Sequence, residues 1–247
     1  MKLSLIISSR NQRRRLKLCL QSATRQRIGP NATGYEILVA DDNSTDKTKE
    51  MVEHYFKDEV KFFENPNPIE DTYTLSENWN NAASHATGER LIFSNGDIVF
   101  TSRFIEAHAD PNMKDHILLG PAMRTTPHIA TFIEEEATDY YGIMNLVSEN
   151  KWYTPDMRMG LIAHTYNKEE PPWHVYGYNF SVPKKYFDGV GGFPPKREYG
   201  GEDLKIAEAI VNKYHCKCLT NQNAMAFHLY HPATNVHGKK FRSDYNF

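Results

Sequence analysis

The stretch Phe93-Ser94-Asn95-Gly96-Asp97-Ile98-Val99-Phe100 admits two readings, and the choice between them sets the fold. Asn-Gly between two apolar runs is a strong hairpin signal, in which both residues take positive φ. In the other reading, Leu91-Ile92-Phe93 is a short buried strand and Asp97 a solitary carboxylate just past its end. Aspartate and glycine are poor strand residues, so Asp97 stands at the strand's carboxyl end, where open α/β sheets bind ligands. A metal-bound phosphate is the ligand class such a carboxylate suits.

The sequence on either side decides for the second reading. Upstream, Leu75 to Ala86 reads as a helix closed by Thr87-Gly88, with glycine at the C′ position. Before it, Leu3 to Ser8 and Tyr35 to Ala40 are apolar runs that stop at Ser-Ser-Arg-Asn and at Asp41-Asp42-Asn43-Ser44-Thr45-Asp46. A helical segment with Leu16, Leu18, Leu20 and Ala23 separates them. A second helix, capped by Thr45 or Ser44, runs to about Phe56 and precedes the strand Val60 to Phe63. This β-α-β-α-β order implies a parallel sheet.

Downstream, Arg103 to Ala109 suggests a helix and Ile117 to Gly120 a strand. From Pro121 to Pro172 the pattern loosens, leaving a helix near Ile133 to Val147 and the run Glu134-Glu135-Glu136, read as a solvated helix face. Val175 to Val182 then reads as a strand closed by Pro183, and Gly191-Gly192-Phe193-Pro194-Pro195 as a turn. Tyr199-Gly200-Gly201-Glu202-Asp203 opens a helix whose buried stripe is Leu204, Ile206, Ala207, Ile210 and Val211. By itself, acid at a helix start is only favourable charge at the positive end of the dipole, worth about 0.3–1 kcal/mol.

The 247 residues, 40% of them hydrophobic, suffice for one large core, and no Ser/Gly-rich or charged linker divides them. A net charge of -2 gives no broad field for nucleic acid, so an anionic ligand must be met locally. Arg13-Arg14-Arg15 is the conspicuous basic run, a solvated face or a contact for an anionic partner. No stretch approaches the roughly 20 apolar residues of a membrane span. Three cysteines argue against a disulfide framework, and a cytoplasmic location is expected.

Four pieces in this order resemble the nucleotide-sugar glycosyltransferases of the GT-A fold, in particular the large inverting family typified by bacterial polysaccharide glycosyltransferases. They are Leu5 to Asn11, Ile37 to Asp46, Ala86 to Asp97 and Gly200-Gly201-Glu202-Asp203. Trp173 to Ser181, with Gly191-Gly192-Phe193 and Gly201-Glu202-Asp203, is similar to the acceptor half of galactosyl- and N-acetylgalactosaminyltransferases. The resemblance implies one Rossmann-like α/β domain with a mostly parallel mixed central sheet flanked by helices. Residues 1–100 would form the nucleotide-sugar half, 101–236 the acceptor half and 237–247 a mobile tail.

It also implies roles. Ser8, Arg10, Asn80 and Asn95 fall to the donor, and Asp42 to the N–H of its base, most readily uracil. Asp97 matches the last acid of the family's metal-binding DxD motif, for Mn2+ or Mg2+, although Asn95 replaces the first acid and brings no charge. His228 or His231 is a candidate further metal ligand. Asp203 aligns with the general base, and Glu202 is left to bind sugar or acceptor hydroxyls. Lys239, Lys240 and Arg242, in the tail, are candidates to fold over a diphosphate.

The activity so implied is transfer of a sugar from a nucleoside diphosphate, probed first as a UDP-sugar, to a hydroxyl of a glycan or glycoprotein, with inversion. Two alternatives stay open at this point. A sugar-phosphate nucleotidyltransferase has a similar sheet but wants a Gly-rich loop after the first strand, and Ser8-Ser9-Arg10-Asn11-Gln12 contains no glycine. A non-catalytic carbohydrate-binding protein on a transferase scaffold would account for the missing first acid.

Overall fold

A computed structural model describes residues 1–69, 74–155, 165–195 and 200–232. The tail residues Lys239, Lys240 and Arg242, and Tyr199, lie outside the described residues.

Strands β1 (Lys2–Ser9), β2 (Gly34–Asp41), β3 (Val60–Glu64) and β4 (Arg90–Asn95) form a parallel set in the order β3-β2-β1-β4. Helices α1 (Arg13–Ala23), α2 (Thr48–Phe56) and α3 (Leu75–Ser84) make the connections. Because helices cover both faces, β1 is buried from Leu3 through Ser9 instead of alternating. Beyond β4 the sheet continues with β10 (Phe180–Pro183), β6 (Ile117–Leu119), β11 (Cys218–Asn221) and β9 (Tyr166–Glu170). Here β10 is antiparallel to both neighbours and β11 parallel to β6, so the eight-stranded sheet is mixed. A second sheet has the order β5 (Ile98–Phe100), β12 (Ala226–His228), β7 (Ala122–Thr125) and β8 (Tyr153–Pro155).

The hairpin reading of Asn95-Gly96 fails. Neither residue has a positive φ, and β5 leaves the main sheet to pair antiparallel with β12, His228 opposite Ile98. Several local expectations also change. Neither Ser44 nor Thr45 caps α2, which starts after Lys47 in the left-handed region. The Ser44 hydroxyl is instead bonded to Asp41 at 2.6 Å. Helix α3 stops at Ser84, short of Gly88. Glycine is needed there because a Cβ would lie 2.6 Å from the backbone of Leu3 and Ser4.

The expected helix near 133–147 is two, α5 (Ala130–Glu134) and α6 (Tyr140–Asn150), parted by Glu136 at φ 49. The Asp139 carboxylate restarts the second by accepting from Gly142 N. The acidic run is not simply solvated: Glu136 pairs with Arg13 at 2.6 Å and Lys17 at 3.2 Å, and Glu134 with Arg14. Part of the basic run of α1 thus meets an acidic partner within the chain. Of the expected strand 175–182 only residues 180–182 lie in β10, and a 3-10 turn at Pro172–His174 precedes it. Two further helices, α4 (Phe104–His108) and α7 (Lys184–Val190), complete the set with α8 (Glu202–Tyr214).

An aromatic cluster joins the two halves of the chain. Phe93 on β4 has Phe180, Phe187 and Phe193 at 5.3, 5.2 and 4.9 Å, and Trp79 of α3 stacks on Phe193 at 5.0 Å. Beneath the strand ends runs a buried polar chain. The Arg90 guanidinium donates to Ser181 Oγ at 2.9 Å, Ser181 meets His108 Nδ1 at 2.9 Å, and His108 Nε2 meets Asn179 Oδ1 at 3.2 Å. The Asn179 amide then donates to the carbonyls of Pro121 and Ala224. Burial first, then the Arg90 charge, pull His108 down to about 3, so it is neutral and Nε2 is its donor to Asn179.

Candidate active site

The carboxyl ends of β1, β2 and β4 are stitched into one edge. Ser9 O accepts from Asp42 N, Ser8 O from Gly96 N and Asp41 O from Asn65 N, each at 2.8 Å. Asp42 and Asp97 both stand on this edge, one beyond β2 and the other beyond β4.

Asp42 is fully buried, and its carboxylate accepts four hydrogen bonds. Oδ1 takes Asn65 Nδ2 at 2.6 Å and Thr74 Oγ1 at 2.8 Å; Oδ2 takes Thr74 N at 2.9 Å and Arg10 Nη1 at 3.1 Å. A carboxylate has about four lone-pair sites, so a ligand N–H must replace a donor. Arg10, with 24% of its side chain exposed, is the partner nearest solvent. Asn65 and Thr74, which frame Asp42, were not singled out in the sequence; an Asn-Pro loop carries no such signal.

Ser8 is fully buried beside Asn78, whose amide donates to Ala40 O at 2.6 Å. Asn80 does not face this edge. Its amide donates to Phe193 O at 2.8 Å and accepts from Phe193 N at 2.9 Å, which spends it on pinning the Gly-Gly-Phe turn. Asn95 keeps a buried side-chain oxygen with no partner among the described residues, an acceptor left open at the strand end.

The β5–β12 pairing carries His228 to Asp97, and Leu229 N donates to Asp97 O at 2.8 Å, fixing the crossing. His231 follows three residues later. The Asp97 Oδ2 atom lies 3.4 Å from His228 Nε2 and 3.1 Å from His231 Nε2, and the two imidazole nitrogens are 3.2 Å apart. His231 Nδ1 donates to Pro232 O at 2.9 Å, so Nε2 is the nitrogen turned to Asp97: protonated, it donates to the carboxylate, and deprotonated, it offers its lone pair to a cation. Burial would raise the Asp97 carboxyl, but the two imidazoles hold it well below the usual carboxylate range. The Asp97 hydrogen bond raises His231 above its ordinary value.

Asp97 Oδ1 is buried and unpartnered among the described residues. Three ligand atoms within 4.8 Å of one another, with that spare oxygen, fit a divalent cation. Two imidazoles and one carboxylate suit Mn2+ better than Mg2+, which demands oxygen. The sequence pointed to one histidine or the other; the structure brings both.

Gly177 and Tyr178 connect this cluster to the start of α8. The Tyr178 ring lies 5.9 Å from that of His228, and Tyr178 O accepts from Ser94 Oγ at 2.8 Å. One residue earlier, Gly177 N donates to Asp203 Oδ2 at 2.9 Å, while Asp203 Oδ1 accepts from Leu204 N. A Cβ on Gly177 would meet Trp79 at 2.7 Å, so only glycine brings this backbone in so closely. Asp203 is half-buried with lone pairs to spare, and Glu202 before it is 5% exposed. An apolar cavity of about 520 Å3 lies behind β12, between Met123, Met144, Tyr153 and Phe227.

The fold has known counterparts. Residues 1–349 of S. aureus TarS, solved in complex with UDP-GlcNAc, superpose with a TM-score of 0.68 at 17% identity, over 100% of this chain and 62% of that one. GalNAc-T7 with UDP, GalNAc and Mn2+ gives 0.63 at 16% identity, over 93% and 44%. The mannosyltransferase PcManGT of Pyrobaculum calidifontis, in complex with GDP-Man and Mn2+, gives 0.57 at 17%, over 91% and 56%. The chain spans about three fifths of the length of the TarS 1–349 structures. No curated protein matches it in sequence. No described helix is long and apolar enough to cross a membrane.

The profile of the family described as "Glycosyl transferase family 2" matches residues 4–170, which run from β1 across the strand ends carrying Asp42 and Asp97 to the last residue of β9. That match spans more than half of the chain, and the chain belongs to the family 2 glycosyl transferases, on a GT-A scaffold.

Proposed function

We propose that this chain transfers a sugar from a UDP-sugar to a hydroxyl of a glycan or glycoprotein, with inversion at the anomeric carbon. The observation that carries the reading is the convergence of Asp97, His228 and His231 on the sheet edge that also bears Asp42. In this reading Asp42 accepts the uracil N3–H after Arg10 yields its place, and Asn95 offers its open oxygen to the ribose. A divalent cation on Asp97, His228 and His231 supplies positive charge to the departing diphosphate.

Asp203 is assigned as general base. Its carboxylate is held by Gly177 N and Leu204 N, so one oriented lone pair can take the proton of the acceptor hydroxyl as that oxygen attacks. Asn80, spent on Phe193, is left out of the chemistry, and Glu202, beside the base, is left to bind sugar or acceptor hydroxyls. Residues 1–100 then serve the donor and 101–236 chiefly the acceptor. The three buried free cysteines agree with a cytoplasmic site and an intracellular step of polysaccharide assembly.

The test is release of UDP from a panel of UDP-sugars with Mn2+, with and without chelator, for the wild type and for Asp97→Asn. Turnover that survives both chelator and Asp97→Asn rules out the metal reading; pyrophosphate in place of UDP points to the nucleotidyltransferase. With a true acceptor, Asp203→Asn lowers kcat by about 10²–10⁴-fold and leaves UDP affinity unchanged. Proton NMR of the product reads its anomeric configuration.

A further inference from the structure

Trp173 has 62% of its surface exposed, a large apolar area that water does not favour. The other strongly exposed aromatic rings are differently placed. Tyr55 carries Lys17 over its face at 4.4 Å and Tyr141 carries Arg25 at 5.4 Å. Among the described residues, no cation lies over Trp173. Scattered exposed apolar residues need no explanation, so position must make the case.

The position is specific. Trp173 sits in the 3-10 turn Pro172–His174, which packs against α8. Pro171 and Pro172 fix the backbone before it, and His174 Nδ1 is tied to Glu170 Oε2 at 2.7 Å after it. Glu170 also holds Lys168 at 2.5 Å. The backbone that carries the indole is therefore restrained on both sides, which lowers the cost of ordering this segment on binding. Four residues on, Gly177 N bonds the Asp203 carboxylate. Four residues of chain span at most about 14 Å, which bounds the separation of the Trp173 Cα from that bond.

We propose that Trp173 is an acceptor subsite, an aromatic platform for the apolar C–H face of a neutral sugar ring next to the one that Asp203 deprotonates. The electron-rich face of an indole attracts the weakly positive C–H edges of a pyranose. The ligand class follows: an oligosaccharide or glycan chain, in which one ring presents its hydroxyl at Asp203 and the next lies on Trp173. A free monosaccharide reaches the base alone. This rests on the reading of Asp203 as base, and it names the acceptor that reading leaves open.

The full chain is titrated, with UDP and Mn2+ present, against neutral oligosaccharides of hexoses and N-acetylhexosamines and against the matching methyl monosaccharides. Wild type, Trp173→Phe and Trp173→Ala are compared by affinity, by tryptophan emission and by transfer rate. Of the other two tryptophans, Trp79 is fully buried and Trp152 packs on His128 and Phe132, and both persist in the variants, so an emission change absent from both variants reports Trp173. Trp173→Ala is expected to weaken oligosaccharide binding about tenfold or more, a step of about 1.4 kcal/mol. UDP affinity, hydrolysis of the donor by water and monosaccharide binding stay unchanged, and Trp173→Phe retains most of the binding.

Equal oligosaccharide binding by wild type and Trp173→Ala overturns the proposal. So does an equal loss for mono- and oligosaccharide, or binding of none of these glycans by a wild type that hydrolyses its donor. A wild type that binds oligosaccharide through Trp173 but neither hydrolyses nor transfers donor keeps the platform and removes the transferase reading.

Discussion

Asp42 receives donors at every lone-pair position, and this makes its neighbour Arg10 the informative residue. Asp42→Ala removes the acceptor for the base and should weaken UDP binding by about 1.5–3 kcal/mol, the range for a hydrogen bond to a charged group. Arg10→Ala should leave UDP affinity the same or tighter, because the arginine competes with the base for Asp42 Oδ2. Calorimetry on both variants decides it: a large loss with Arg10→Ala would show that the guanidinium contacts the donor. His108 gives a second prediction at this scale. Its ordinary value is near 6.5 and its folded value about 3, so below pH 6.5 the unfolded chain takes up a proton that the folded one refuses. Stability is full above pH 6.5 and falls on acidification by about 1.4 kcal/mol per pH unit from this group. Urea unfolding of His108→Gln should lack that slope between pH 6 and pH 4.

At the scale of elements, the Gly191-Gly192-Phe193 turn shows what the sequence could and could not reveal. Gly192 has φ 78, and a Cβ there would lie 2.6 Å from Asn80 Oδ1. Gly192→Ala therefore both strains the backbone and presses on the amide that pins Phe193; a loss of about 1–3 kcal/mol is expected, read from thermal melts. The turn itself was legible from Gly-Gly-Pro spacing, but its function as the lid of an aromatic core was not, because Asn80 and Phe193 meet across 113 residues. The parallel strands were legible from continuous apolar runs, and Asp97 from the poor strand residues around it. The histidine pair was only half legible, since β12 is three residues long and its pairing with β5 has no local signature. The break between α5 and α6 escaped notice because Ile133 and Val147 both have apolar spacing that a single helix would satisfy.

For the whole molecule, the shared core argues for one folding unit. Phe93 comes from the proposed donor half and Phe180, Phe187 and Phe193 from the proposed acceptor half, so neither half closes its own core. Urea unfolding followed by near-ultraviolet and far-ultraviolet circular dichroism should give coincident single transitions; two separated transitions would divide the chain into independent domains. The ion pairs between α1 and the acidic run add little to this, since exposed pairs are each worth about 0–1 kcal/mol. The crossing of β5 and β12 has a consequence in time. Asp97 leaves the ribosome 131 residues ahead of His228 (228 − 97). On the ribosome, Ile98–Phe100 waits without its antiparallel partner until Ala226–His228 has emerged. A nascent chain thus carries the aspartate through that whole interval before it meets the two imidazoles, and the proposed cation cannot be captured at this cluster until they have emerged.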